Sequence, residues 1–150
     1  MNKFAKVLAA GFFSLVTSAN ATLIGTSTGE LWDHDVSSNT SNLIGNTGIM
    51  FDIALDPITN FLYGIKGNGY LYLIDQTNGN TTQIGDTDKA INGLTFDQNG
   101  VLFASGENNL YTINVSSAVA TLMGSDGYQS SGDIAFDDSG SLYLSSMGTS

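Results

Sequence analysis

One phrase recurs along this chain at an almost fixed interval. "LIGTSTGELWDHDVSSNTSNLIGNTGIMFDIALDPITN" begins at Leu23, "LYGIKGNGYLYLIDQTNGNTTQIGDTDKAINGLTFDQNG" at Leu62 and "LFASGENNLYTINVSSAVATLMGSDGYQSSGDIAFDDSG" at Leu102, and a fourth unit opens with "LYLSSMGTS" at Leu142. The starts at 23, 62, 102 and 142 are spaced by 39, 40 and 40 residues. A register kept over four starts is not chance similarity. It makes the fold an array of one supersecondary unit, in which each unit must bury its apolar face against a neighbour.

Each unit holds four short apolar segments separated by turn chemistry. In the middle unit the pattern predicts strands at Leu62–Ile65, Tyr70–Asp75, Thr81–Ile84 and Gly93–Asp97, rich in Leu, Ile, Tyr, Phe and Thr. Between them, "KGNG", "QTNG" and "DQNG" supply the Asn-Gly pairs and nearby Asp that tight turns require. No window after residue 21 has the period of an amphipathic helix of ten residues or more. Four strands per ~40 residues is the arithmetic of a β-propeller blade. Runs such as "YLYLI" and "DIALD" are apolar on successive residues, as strands buried on both faces by stacked blades must be. A parallel β-solenoid is the main rival, but its coils are shorter and do not need three hairpin turns per repeat. The expected fold is therefore all-β, a propeller of four-stranded blades.

The phrase "GLTFDQNGVLFAS", echoed as "DIALDPITNFLYGI" and "DIAFDDSGSLYLS", leads into segments such as "LYLID" and a following "IG". It resembles the blade signature of secreted bacterial propellers of the NHL, YVTN and gluconolactonase-like repeat families, over essentially all of Leu23–Ser150. The resemblance implies a propeller whose innermost strand is "GLTFD", followed outward by "VLFAS", "NLYTIN" and "ATLMG". Those families include lactonases, lyases, sugar and peptide binders, so the fold alone does not select a function. Read in this frame, the chain begins with the outer three strands of one blade. It continues through whole blades at Met50–Gly85 and Ile91–Gly124 and stops after the inner two strands of another, about three and a quarter repeats in all. A closed ring needs at least about four blades. Two answers stay open: a symmetric homo-oligomer, in which a dimer gives about six blades with strands of one chain completing the blade begun by the other, or a piece of a longer propeller.

The first 21 residues, "MNKFAKVLAAGFFSLVTSANA", stand outside the repeat. Lys3 and Lys6 precede an apolar stretch from Val7 to Val16, and Ala19 and Ala21 have the A-x-A spacing of a cleavage site, so a secretory signal peptide is expected over residues 1–21 and a repeat domain over 22–150. The apolar run is short for a bilayer span and no later segment is a candidate anchor. The expected location is secreted or periplasmic, in a bacterial setting. The 4 basic residues, all Lys, face 14 acidic ones; a cut after Ala21 leaves Lys66 and Lys89, and a formal charge of 2 − 14 = −12. Such a surface repels phosphate backbones and anionic lipid, which excludes nucleic acid as a partner. With no Cys, the fold rests on packing alone.

Candidate chemistry comes from position within the repeat. Asp52 and Asp133 align with Gly93 at the start of the innermost strand, where side chains reach the mouth of a propeller's channel. Two or more carboxylates converging there would bind a cation or hold Ca²⁺ through oxygen ligands. The alternative is an Asp that hydrogen-bonds its own backbone at a strand start. Asp33-His34-Asp35 contains the sole His and could ligate a metal, although a single His without a second ligand cluster reads better as a polar substitution. Trp32 aligns with Tyr72 and Tyr111 and is expected to fill a core position. Asp56, Asp97 and Asp137 precede "PITN", "QNG" and "DSG" and read as turn residues, and Asp138-Ser139-Gly140 has too few ligands for a calcium loop. No nucleophile elbow, H-E-x-x-H or phosphate loop is present. Asn39-Thr40-Ser41, Asn80-Thr81-Thr82 and Asn114-Val115-Ser116 match the glycosylation sequon, which a bacterial leader makes inert. The expected function is a secreted binding or scaffold module for a small molecule, glycan or protein. The alternative is a metal-dependent lactonase-like or lyase-like enzyme that uses Asp52, Asp133 and residues of further blades.

Overall fold

A computed structural model of the chain describes residues 22–125 and 127–149. The expected leader, with Ala19 and Ala21, lies outside the described residues. Every regular element among those residues is a β-strand, in four antiparallel sheets that follow the repeat. The first holds β1 (Thr22–Ser27), β2 (Glu30–Asp35) and β3 (Thr40–Asn46); the second holds β4 (Asp52–Leu55), β5 (Leu62–Ile65), β6 (Tyr70–Ile74) and β7 (Thr81–Asp86). The third holds β8 (Gly93–Phe96), β9 (Leu102–Gly106), β10 (Asn109–Ile113) and β11 (Ala120–Ser125), and the fourth pairs β12 (Tyr128–Phe136) with β13 (Leu142–Thr149). Strands pair in sequence order from the inside outward, so each sheet is a blade. The inner strands β4, β8 and β12 lie side by side. This is a partial β-propeller.

The strands expected at Tyr70–Asp75 and Gly93–Asp97 each end one residue earlier, at Ile74 and Phe96, and the outermost strand differs by more. The outermost strand runs through the glycine of "IG" to Asp86 rather than stopping at Ile84. A register shift between Leu71 and Tyr72 absorbs the extra residue, and the same irregularity recurs between Leu31 and Trp32 and between Leu110 and Tyr111. The ends of the other strands are set by side chains. Ser37, Thr77 and Ser116 donate their backbone N–H to Asp35, Asp75 and Asn114 at 2.8, 2.8 and 2.9 Å, closing the outer turn of each blade. The residue four positions after each acceptor is left-handed: Asn39 at φ 53°, Gly79 at 75° and Ala118 at 60°.

The core lies between blades. Along β6, Tyr72 and Ile74 face the first blade and Leu71 and Leu73 the third. Leu31, Met50, Leu62 and Ile74 close the first junction. Ile65, Leu71, Ile91, Leu94, Leu102 and Ile113 lead a larger cluster at the second, each at most 4% exposed. Each such side chain contributes roughly 1.5–3 kcal/mol by leaving water. Close approach at the rim depends on two glycines. A Cβ on Gly45 would collide with the Asn78 carbonyl, and one on Gly85 would sit 3.1 Å from both the Ala118 methyl and the Ser117 carbonyl. The outer turns of the second and third blades therefore seat on the "IG" glycine of the blade before each.

Candidate functional site

The inner strands define two ends. Of the three positions singled out in the sequence, Asp52 and Gly93 open β4 and β8, whereas Asp133 lies inside β12, which begins five residues earlier at Tyr128. Asp52 reaches across the junction: its Oδ2 accepts the backbone N–H of Leu94 in the next blade at 2.6 Å, and its Oδ1 accepts that of Ile53 at 2.8 Å. Burial pushes its carboxyl up to about 6; these two hydrogen bonds oppose the rise, and the charge of Asp133 adds to it. Asp133 is exposed and close enough to Asp52 to be felt. Gly93 leaves the space an Asp would fill to a polar network, since a Cβ there would lie 2.5 Å from Ser105 Oγ. Ser105 and Ser130 hydroxyls meet at 2.9 Å, Ser130 Oγ donates to Asn92 Oδ1 at 2.8 Å, and Asn92 Nδ2 donates to the Ser130 carbonyl at 3.1 Å. Both devices tie adjacent blades together at the mouth.

This donor set does not make a calcium cage by itself. Ca²⁺ takes six to eight oxygens, whereas Asp52 already accepts two backbone N–H groups and, among the described residues, Asp133 is the further carboxylate whose charge it feels. Among the described residues no three His, Asp or Glu side chains come together as metal ligands. Asp33, His34 and Asp35 are likewise dispersed. His34 Nδ1 lies 2.8 Å from Ser41 Oγ at the surface. Asp35 is spent on its turn, where the hydroxyls and N–H groups of Ser37 and Ser38 hold its carboxyl down at about 2. Asp33 Oδ1 is buried without a hydrogen-bond partner. Trp32 is half-buried, with its indole N–H directed to Glu30 Oε2 at 3.3 Å, and it lies on the opposite face of β2 from the core residue Leu31.

The opposite ends of the inner strands frame a cleft of about 650 Å³ that the sequence did not announce. Its apolar lining is Leu55, Pro57, Phe96, Phe103 and Phe136, with the Phe103 and Phe136 rings edge to face at 5.0 Å between centroids. Asp97, Gln98, Asn99, Asp137 and Asp138 rim it. Asp97 and Asp137 are fixed by their turns: Asp97 Oδ1 accepts the N–H groups of Asn99 and Val101 at 2.9 and 2.8 Å. Asp137 Oδ1 accepts those of Ser139 and Ser141, both at 2.9 Å, and its Oδ2 accepts the Tyr143 hydroxyl at 3.1 Å. These bonds hold both carboxyls below the usual range, so the rim is anionic at neutral pH. The signal for this site was a Phe at the end of two inner strands and a third Phe on β9. Each taken alone is an ordinary strand residue.

No protein-family model matches the sequence, and no curated protein matches it. Solved structures do share the fold. A protein from work on the de novo evolutionary emergence of a symmetrical protein superimposes with a TM-score of 0.60 at 22% identity, covering 85% of this chain and 64% of that one. The gluconolactonase of Xanthomonas campestris, described as important in glucose secondary metabolic pathways, gives 0.61 at 13% identity over 78% of this chain and 41% of its own. YCF48 bound to a D1 peptide gives 0.57 at 13% identity over 85% and 44%. The chain thus spans 41 to 64% of the length of these three structures. At such identities the likeness establishes the fold.

Proposed function

We propose that this chain is a ligand-binding propeller module acting outside the cytoplasm, and that its ligand is an uncharged polyhydroxylated molecule held at the turn ends of the inner strands. The observation that carries the reading is the cleft itself. About 650 Å³ is within the range of small-molecule sites, and phenylalanine rings beneath a rim of carboxylates and amides offer an apolar platform with fixed hydrogen-bond acceptors. The acidic rim and the excess of Asp and Glu over Lys disfavour anions. Titration calorimetry with a panel of neutral saccharides and polyols tests this. Binding that Phe103→Ala and Phe136→Ala both weaken at least tenfold is the expected result; binding unaffected by either change, or none across the panel, overturns it.

A lactonase-like function is the second reading, favoured by the likeness to the gluconolactonase and by a half-buried carboxyl at the mouth pushed up to about 6. Under it, Asp52 and Asp133 act with residues of further blades. Lactone hydrolysis that rises with added Ca²⁺ and disappears in Asp52→Asn supports this reading over the first.

A further inference from the structure

The third blade carries a docking device that its predecessors use and it does not. In β3 and β7 the pairs Ile44-Gly45 and Ile84-Gly85 meet the following blade: the glycines take its outer turn, and the isoleucines pack against the clusters beneath. The equivalent pair in β11 is Met123-Gly124. Met123 is 55% exposed, and no described residue comes within 4 Å of a Cβ built on Gly124. Leu110, whose counterparts Leu31 and Leu71 are fully buried, remains half-exposed beside a cavity of about 270 Å³ shared with Ile134, Leu142 and Leu144. Asp133 repeats the pattern at the mouth. Its counterpart Asp52 grips a backbone N–H of the next inner strand, while Asp133 is exposed.

A matching plug sits at the other end of the same chain. The turn between β2 and β3 has the Asp35 closure and the left-handed Asn39 of the turns that seat on Gly45 and Gly85, and Val36 to Thr40 are exposed. Trp32 and His34 occupy the face of β2 that corresponds to Tyr72 and Ile74 on β6, the face that packs on a preceding blade.

We propose that the outer turn of a second copy, residues 35–40, seats in the Gly124 socket, so that the chain associates with itself head to tail. Complementarity is inherited, because socket and plug are each a copy of a contact made twice within one chain. β1 and β13 both hold the second-strand position of a blade, so β13 of one copy takes the place of β1 beside β2 of the other. Each copy then contributes the twelve strands β2 to β13 as three four-stranded blades. Two copies close a six-bladed ring through two identical junctions, within the usual range of about four to eight blades.

Light scattering on the chain from Thr22 onward, with emission from Trp32, the sole Trp, tests the proposal. The expected mass is twice that of the chain, with emission shifting to shorter wavelength as concentration rises. Gly124→Val on the socket and Ser38→Arg on the plug should each give a monomer with unshifted emission and unchanged β-sheet circular dichroism, because both positions are exposed. An equimolar mixture of the two variants should recover dimer, since one intact socket then meets one intact plug. A monomeric parent chain, a dimer that neither variant disturbs, or a mixture that stays monomeric overturns the proposal. The outcome does not depend on the ligand or its cleft.

Discussion

Replacing Asp52 with Asn is expected to stabilise the chain at neutral pH and to lose that advantage as the pH falls to 4. The carboxyl is raised from 3.8 to about 6, chiefly by burial. A group whose pKa is higher folded than unfolded adds stability that is fully present below the unfolded value and is lost as pH rises through the folded one. A shift of about 2 units at about 1.4 kcal/mol each sets a ceiling near 3 kcal/mol, and partial solvent access lowers it to about 2. Asn cannot ionise, so at pH 7 the variant avoids the cost of a buried charge between blades; its one carbonyl oxygen serves the Leu94 N–H, and the hydrogen bond from the Ile53 N–H is lost at every pH, at a cost of about 1 kcal/mol. Urea unfolding followed by β-sheet circular dichroism at pH 7, 6, 5 and about 4 reads the difference directly. The Asn variant should be more stable by about 1 kcal/mol at pH 7, with the difference falling by about 2 kcal/mol through pH 6 so that the variant is the less stable at pH 4. A destabilised variant at pH 7, or a gap that does not move with pH, refutes the argument that burial of this carboxylate dominates its surroundings.

The turn carboxylates act in the opposite direction. Asp35, Asp75, Asp97 and Asp137 are held below their ordinary range by hydrogen bonds, so their contribution is present above about pH 4 and falls away in stronger acid; with Asp52 this places the parent chain's thermal-melting maximum between about pH 4 and 6. Alanine at the three equivalent rim glycines should grade with the space available: Gly45→Ala prevents the first two blades from closing, Gly85→Ala costs about 1–3 kcal/mol, and Gly124→Ala is neutral in the monomer, by urea unfolding. Leu71→Ala, in a fully buried site between blades, should cost about 2–5 kcal/mol in the same assay. Glu107 is exposed and held at φ 52°, so Glu107→Gly should raise the melting temperature by relieving about 1 kcal/mol of left-handed strain.

The repeat made the blades legible because four strands, their turn residues and their spacing are all local properties. Asp56, Asp97 and Asp137 were readable as turn residues for the same reason: their partners lie within a few positions, as with Thr59, whose hydroxyl donates to Asp56 at 2.7 Å. What lay hidden is the contact between repeats. The partner of Asp52 is a backbone amide 42 positions away, and no pattern of side chains marks it. Gly93 looked like a gap in an acidic row, but Ser105, Ser130 and Asn92 fill that place from three different segments. The phenylalanine cleft escaped notice because a ring covered by the next blade and one bordering an opening read alike in one dimension.

The seating of each outer turn on the preceding blade's glycine also decides how the molecule comes apart. Among the described residues the main contacts between sheets run between neighbours, so the monomer behaves as a short row of coupled units in which a central member is braced on both sides and a terminal one on a single side. Amide exchange in the monomer should follow that ranking: slowest in β5, β6, β8 and β9, whose residues meet across the larger cluster, and fastest in β1 and β13. Loss of structure then begins at the two outermost sheets and moves inward, leaving the pair formed by the second and third blades as the last part to melt.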